Sequence, residues 1–107
     1  MHVLIVMNDP LAAMLRRRLW RDGHVVDLVA RGADSVAQAG GDEYDAIILD
    51  NDLPDMDGVT AVGQLRGNGS LTPILMTAGR KGVEERVRGL NAGADADPDA
   101  AVGSEEV

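Results

Sequence analysis

The chain has 107 residues, enough for one small domain, and 18 acidic against 10 basic residues give it a formal net charge of −8. This charge argues against direct binding to nucleic acids or anionic membranes, which require a basic surface. The absence of cysteine excludes disulfides and thiolate metal sites, and no apolar run approaches the ~18 residues of a membrane-spanning helix. We therefore expect a cytoplasmic domain with an aliphatic core.

Short apolar runs alternate with helical patterns in the first 40 residues. Residues 3–6 predict the first strand. The helix that follows has an apolar face formed by Leu11, Met14, Leu15 and Leu19. Residues 24–29 predict a second strand, in which the charge of Asp27 suits an edge position. Residues 33–40 predict a weak helix.

The same alternation continues through the rest of the chain. Residues 46–49 form an uninterrupted apolar run that leads into Asp50, and residues 73–76 predict a fourth strand that ends at Thr77. The helix between them has an apolar face of Val59, Val62 and Leu65. A fourth helix is marked by Val83, Val87 and Leu90. Strands that alternate with helices predict right-handed βαβ units and a parallel sheet.

Two groups of charged or titratable residues favour surface positions. Arg16, Arg17 and Arg18 are consecutive and must fan around a helix, which indicates a solvated face. His2 and His24 have no metal-ligand partner nearby in sequence and are interpreted as surface residues at strand ends.

Asp50 is the strongest candidate for a functional residue. It follows a strand predicted to be buried on both faces, so its carboxylate lies at the carboxyl end of the sheet, where ligands bind in open α/β folds. A carboxylate there can act as a nucleophile or a metal ligand. A solvated acid that caps a loop remains the alternative at this point.

The residues after this strand resemble a known family. Asp50, Pro54, Met56, Asp57 and Gly58 match the pattern Asp-x-x-x-Pro-x-Met-Asp-Gly of response-regulator receiver domains. The resemblance covers about residues 1–95, and residues 84–90 are similar to the fourth helix of OmpR/PhoB-type receivers. It implies a flavodoxin-like (CheY-like) three-layer α/β fold with strand order 2-1-3-4-5. It also implies that Asp50 accepts a phosphoryl group from a histidine kinase.

The family's pocket is matched only in part. The resemblance implies that Mg²⁺ is held by two acids after the first strand, the phosphoacceptor, and the backbone carbonyl two residues beyond it, here that of Asp52. Thr77 matches the family's hydroxyl position. Met7 and Asn8, however, occupy the two acidic positions. Asp9 is one residue too far along and is interpreted as a helix cap.

The missing acids affect metal binding directly. Mg²⁺ prefers carboxylate oxygens, and neither the Met7 thioether nor the neutral amide of Asn8 replaces the lost charge. We expect the Mg²⁺ site formed by Asp50 and the Asp52 carbonyl to be weak or absent, and no other cofactor is indicated.

The end of the chain departs further from the family. Asp97 replaces the aromatic of the fifth strand, Ala100 stands where the family has lysine, and Pro98 would interrupt a strand. We expect a degenerate or missing fifth strand and fifth helix, with a receiver domain over residues 1–95 and an acidic, disordered tail over residues 96–107. Without the fifth helix, an apolar strip of the sheet would lie uncovered, which predicts self-association, as in a homodimer, or packing against a segment outside this chain.

These observations favour a regulatory domain rather than an enzyme. The favoured hypothesis is an atypical receiver of a transcription regulator, controlled by dimerisation or by a small-molecule effector bound near Asn8. The alternative is ordinary phosphorylation of Asp50 by a histidine kinase. More distantly, Asp50-x-Asp52 resembles the first motif of haloacid-dehalogenase-type phosphatases, although it lies on the third strand rather than the first. No DNA-binding module lies within these residues, so this domain is not expected to bind nucleic acid directly.

Overall fold

The computed structural model describes residues 1–41, 43–77 and 101–102. The predicted fourth helix lies outside these residues, and so do Asp97, Pro98 and Ala100, where the sequence departs from the family pattern. The elements follow in chain order: β1 (His2–Val6), α1 (Leu11–Arg21), β2 (Val25–Val29), α2 (Gly32–Gly41), β3 (Ala46–Asp50), α3 (Gly58–Gly67), β4 (Ile74–Thr77) and β5 (Ala101–Val102).

The strands form one sheet in the order β2-β1-β3-β4-β5. The first four strands are parallel, which confirms the predicted flavodoxin-like order. The fifth position holds only two residues, which run antiparallel to β4 with Val102 opposite Ile74. The sheet thus includes two residues of the segment predicted to be a disordered tail, while the boundary at residue 95 stays a prediction.

The central strands explain the uninterrupted apolar runs. Every residue of β1 from Val3 onward, and every residue of β3 before Asp50, has no solvent exposure. One face of the sheet packs with Ala12, Leu15 and Leu19 of α1. The other face packs with Ala61, Val62 and Leu65 of α3, joined by partly buried residues of α2. Apolar runs are therefore needed because both faces of the sheet are covered.

Two residues predicted to line helix faces are instead exposed. Met14 is 52% exposed and Val59 is 67% exposed. Instead, the small residues Ala12 of α1 and Ala61 of α3 contact the sheet. The buried face of each helix therefore lies beside the face that was predicted. The prediction of these two core residues was wrong because large apolar side chains were favoured over alanine.

The predicted uncovered apolar strip is not found among the described strand residues. Ala46, Ile48 and Leu75 belong to the cluster on the α1 face, and each is at most 3% exposed. These strand residues therefore give no support to the homodimer, which stays a prediction.

The edge position of β2 is confirmed, and Asp27 has partners there. The Tyr44 hydroxyl donates a hydrogen bond of 2.7 Å to its carboxylate, and Nε2 of His2 lies 3.0 Å from the same oxygen. Nδ1 of His2 lies 2.9 Å from the carbonyl oxygen of Glu43. His2 begins β1, and its hydrogen-bond partners Asp27 and Glu43 are distant in sequence.

The hydrogen bonds at Asp27 affect its ionisation. The Tyr44 hydroxyl, followed by the His2 ring, lowers the pKa of the Asp27 carboxyl below its ordinary value. The Asp27 carboxylate therefore links the edge strand β2 to β1 through His2, and to the segment before β3 through Tyr44.

Among the helices in the described part of the chain, none has the length and apolar character required to cross a bilayer.

Candidate functional site

Asp50 lies where β1, β3 and β4 end together. It is the last residue of β3, it is half-buried, and it stands opposite Thr77 in the β3–β4 register. Burial raises the pKa of the Asp50 carboxyl above its ordinary value, against the opposing hydrogen bonds from the backbone N–H groups of Asp52 and Asn51. The negative charges of Asp52 and Asp9 raise this pKa further. The structure therefore brings Asp50, Asp52, Asp9 and Thr77 to one end of the sheet.

The loop after Asp50 is fixed to the start of α3. The Gly58 N–H donates to the carbonyl of Asn51 at 2.8 Å, and Asp52 and Asp57 form an isolated bridge. The Asp57 carboxylate caps α3 by accepting a hydrogen bond of 2.7 Å from the Thr60 N–H. The Asp52 carbonyl, the metal ligand implied by the resemblance, therefore belongs to a well-tethered turn.

Gly58 is required by close packing at this turn. A Cβ atom placed there would lie 2.5 Å from Cε of Met76 and 2.9 Å from Cα of Asn51. Because the second of these contacts is with backbone, it cannot be relieved by a side-chain rotation. The glycine of the motif is thus explained by the approach of α3 to the end of β3.

The same loop is also fixed to α2, by a residue that the sequence did not indicate. The Asp55 carboxylate accepts hydrogen bonds from the backbone N–H groups of Gly32 at 2.8 Å and Ala33 at 3.0 Å. The side chain of Met56 lies against Gly32, where a Cβ would be 2.5 Å from its sulfur. Asp55 is 22 to 23 residues from these amides, so no local pattern could have revealed this cap.

Thr77 carries a buried hydroxyl without a partner. The residue is 3% exposed, and its Oγ1 makes no hydrogen bond within the described part of the chain. Buried hydroxyl groups are almost always hydrogen-bonded, because an unsatisfied group loses its interaction with water. This hydroxyl is therefore available to a further acceptor beside Asp50.

The end of β1 differs from a typical acidic pocket. Met7 is 3% exposed and packs with Ala12 and Leu15 in the core, whereas Asn8 is exposed. The Asp9 carboxylate accepts a hydrogen bond of 2.8 Å from the N–H of Leu11, the first residue of α1, while Pro10 occupies the N-cap position of the helix.

The groups at the ends of β1 and β3 do not fit a Mg²⁺ site well. Among the residues that the structure describes, no cluster of three or more histidine or acidic side chains is arranged to hold a metal. Met7 is turned into the core, and the Asp9 carboxylate is bound to the start of α1. Mg²⁺ is usually held by carboxylates and other hard oxygen ligands, and beside the Asp50 carboxylate and the Asp52 carbonyl the end of β1 offers only the uncharged amide oxygen of the exposed Asn8. The predicted weakness of the metal site stays a prediction.

Comparison with known proteins places the chain among signalling domains. Residues 3–96 match the family model of the response regulator receiver domain. The transcriptional regulatory protein TcrA of Mycobacterium tuberculosis is 43% identical over 94 residues, which cover 87% of this chain and 37% of TcrA. The response regulator MprA of the same species is 40% identical over 94 residues, covering 86% of this chain and 41% of MprA. The chain thus spans about two fifths of the length of these relatives.

Solved structures agree with this match. A CheY-like receiver domain from Methylobacillus flagellatus is 26% identical with a TM-score of 0.64, and the match covers 78% of each chain. The receiver domain of a sensor histidine kinase from Pseudomonas aeruginosa PAO1, which has a magnesium ion in its active-site cleft, is 28% identical with a TM-score of 0.66. That match covers 95% of this chain and 80% of the other. The family model, the relatives and the solved structures all agree. The chain therefore belongs to the response-regulator receiver domain family.

Proposed function

We propose that this chain is the signal-receiving domain of a transcriptional response regulator and that ordinary Mg²⁺-dependent phosphorylation does not control it. The observation that carries this proposal is the position of Met7, whose side chain is packed in the core where the resemblance implies an acid. The names of TcrA and MprA support the regulatory role. We place the domain in the cytoplasm and assign it no catalytic turnover, which leaves the phosphatase hypothesis without support.

The charges around Asp50 explain why phosphorylation is disfavoured. Burial is the main cause of the raised pKa of the Asp50 carboxyl, and the negative charges of Asp52 and Asp9 raise it further. A phosphoryl donor brings further negative charge. At an effective dielectric constant of about 20, two like charges 4 Å apart repel by roughly 4 kcal/mol before screening. A bound cation would remove most of this cost, and the residues present hold one poorly.

Control by association with another chain agrees better with the fold than control by a small-molecule effector near Asn8. Pockets for small molecules are concave and enclose most of the ligand surface. Met7 is packed into the core and Asn8 is exposed, so the two residues do not provide such a lining. The other chain is a second copy or a different protein.

Phosphorylation of Asp50 by a histidine kinase is the second candidate, and the unpartnered hydroxyl of Thr77 favours it. Asp50 and Thr77 are register partners on adjacent strands. The Thr77 Oγ1 could therefore donate to an oxygen of a phosphoryl group carried by Asp50, which would satisfy the buried hydroxyl.

Intact-mass measurement separates the two candidates. The folded protein is incubated with acetyl phosphate, with and without Mg²⁺, beside an Asp50→Ala variant whose fold is checked by circular dichroism. We expect no adduct at any Mg²⁺ concentration. A single Mg²⁺-dependent phosphoryl adduct that is absent from the variant would overturn the proposal and establish the second candidate.

A further inference from the structure

A groove lies between α1 and the edge strand β2, away from Asp50. It has a volume of about 360 Å³ and is lined by Ala13, Arg16, Arg17, Trp20 and Val26. We call it the α1 groove. Its four helical residues follow the spacing i, i+3, i+4 and i+7, which places them on one stripe of the helix. Arg16 and Arg17 therefore share a surface, although three consecutive arginines were predicted to fan around the helix.

Trp20 is the feature of this groove that folding alone does not explain. It is the single tryptophan of the chain, and it is 70% exposed. An indole ring brings a large apolar surface and usually contributes to a core or an interface. Tryptophan and arginine are also the residues most enriched among those that dominate the energy of protein interfaces.

The charge of α1 is opposite to that of the whole chain. The helix contains Arg16, Arg17, Arg18 and Arg21 and no acid, whereas the net charge is −8. Arg18 and Arg21 lie in the last turn, where cations are stabilised by the helix dipole. Arg16 and Arg17 lie further inside the helix, and no carboxylate in the described ranges forms a salt bridge with either.

We propose that the α1 groove binds an acidic amphipathic segment of a partner protein. Carboxylates of the segment pair with Arg16 and Arg17, and an apolar side chain packs between Trp20, Ala13 and Val26. Charge complementarity favours this partner, because a basic groove on an acidic domain attracts acidic segments locally and gives specificity. The proposal goes beyond the control of Asp50 and holds whether or not Asp50 is phosphorylated.

A nucleic acid fits the groove less well. Its affinity comes mainly from many phosphate contacts with a broad basic surface, whereas this groove offers two arginines between apolar side chains on a domain of charge −8. A mixed apolar and basic lining is suited to a segment that carries both leucine and glutamate.

Trp20 supplies a direct reporter for the test. The full chain is titrated at low salt with a helical peptide of about 20 residues that bears glutamate on one face and leucine on the other. We expect a saturable change in tryptophan emission, with a Kd of roughly 50 μM. The Arg16→Gln/Arg17→Gln double variant should weaken binding about tenfold, and added salt should weaken it further.

Matched variants distinguish binding in the α1 groove from nonspecific electrostatic attraction between the basic helix and the acidic peptide. Arg18→Gln removes the same charge from the same helix outside the groove and should change Kd less than about twofold. Trp20→Leu, followed by calorimetry, should weaken binding. The absence of saturable binding, or an equal loss in Arg18→Gln, would overturn the proposal.

Other occupants are excluded by two further measurements. Tighter binding of a 20-nucleotide single strand than of the peptide would assign the groove to nucleic acid instead. A dimer by sedimentation that is abolished in the Arg16→Gln/Arg17→Gln variant would assign it to a second copy of the chain. The expected result is a sedimentation behaviour that the Arg16→Gln/Arg17→Gln variant leaves unchanged, with no affinity for the oligonucleotide.

Discussion

The carboxylate of Asp55 caps helix α2 through the backbone N–H of Gly32, across 23 residues of sequence. A second hydrogen bond, from the Ala33 N–H, completes the cap. Because Asp55 lies in the loop that follows Asp50, this contact joins the candidate site to α2. A displacement of the loop therefore removes the cap from the helix.

The cap predicts a specific loss of stability in Asp55→Ala. The N–H groups of Ala33 and Gly32 lower the pKa of the Asp55 carboxyl, which shows that they favour its charged form. The variant leaves both donors without this partner, and its unfolding temperature should fall by about 4 °C at pH 7. Thermal unfolding followed by circular dichroism measures the change.

The pH dependence of this effect has a definite sign. A carboxyl whose pKa is lowered by folding stabilises the fold above its unfolded pKa, and the contribution is lost as pH falls through the folded value. The difference between wild type and Asp55→Ala should therefore shrink on acidification below the ordinary pKa of 3.8. Asp34→Ala, also in the first turn of α2 but with no such cap to remove, is the control. An equal loss in both variants would contradict the cap.

Most of the sheet could be predicted because its central strands β1 and β3 are buried on both faces. Continuous apolar runs at β1 and β3 indicated central strands, and the charge of Asp27 indicated an edge strand. The helices were predicted less well at Met14 and Val59, since the spacing of large apolar residues does not reveal that alanine makes the closest contacts. The strand at Ala101–Val102 could not be predicted, because two residues carry no periodicity.

The parts of the candidate site that follow from local sequence motifs could be predicted. The contacts between residues far apart in the chain could not. The motif placed Asp50, the Asp52 carbonyl and Thr77 at one end of the sheet, and the local pattern gave Asp9 as a cap. By contrast, the links from Asp55 to Gly32 and from Tyr44 to Asp27 join residues that are far apart in the chain. Only a folded structure reveals such pairs.

Two glycines of α3 should respond oppositely to alanine. Gly58→Ala places a Cβ against the backbone of Asn51 and the side chain of Met76, and should destabilise the fold by roughly 1–3 kcal/mol. Gly63→Ala meets no atom within 4 Å and should stabilise it by about 0.5–1 kcal/mol. Urea unfolding of both variants tests the pair, and a loss of stability in Gly63→Ala would contradict the assigned packing.

The Tyr44 hydroxyl should stabilise the edge strand through Asp27. Tyr44→Phe removes the 2.7 Å hydrogen bond. The Asp27 side chain is 39% exposed, so solvent screening limits the expected loss to about 1 kcal/mol at pH 7. Folding lowers the pKa of Asp27, so this contribution should disappear as pH falls below its ordinary value of 3.8. The same substitution in an Asp27→Asn background should cost less, and an unchanged cost would exclude the coupling.

The unpartnered hydroxyl of Thr77 predicts an unusual stabilising substitution. Thr77→Val keeps the shape of the side chain and removes a buried polar group, and should raise the free energy of unfolding by up to about 1 kcal/mol. Thr77→Ala deletes volume as well and should be less stable than the valine variant. If Thr77→Val lowers the free energy of unfolding relative to the wild type, the hydroxyl has a partner and is not available to an acceptor beside Asp50.

Asp50 should itself reduce the stability of the domain at neutral pH. Burial is the main cause of its raised pKa, so the fold favours the neutral carboxyl. Stability from this group is fully present below the ordinary pKa of 3.8 and is lost as pH rises through the folded value. Asp50→Asn should therefore be more stable than wild type at pH 7, on the order of 0.5 kcal/mol because the group is partly solvated.

The advantage of Asp50→Asn should vanish near pH 3, where the wild-type carboxyl is also neutral. Urea unfolding at the two pH values measures the difference, and Glu43→Gln, an exposed acid before the same strand, serves as the control for general charge removal. An advantage that persists unchanged at pH 3 would show that the amide stabilises the site for another reason. If Asp50→Asn is instead less stable at pH 7, the charged carboxylate has a favourable partner at the end of the sheet. A cation would then be the first partner to test, and adding Mg²⁺ to the wild type should raise its unfolding temperature.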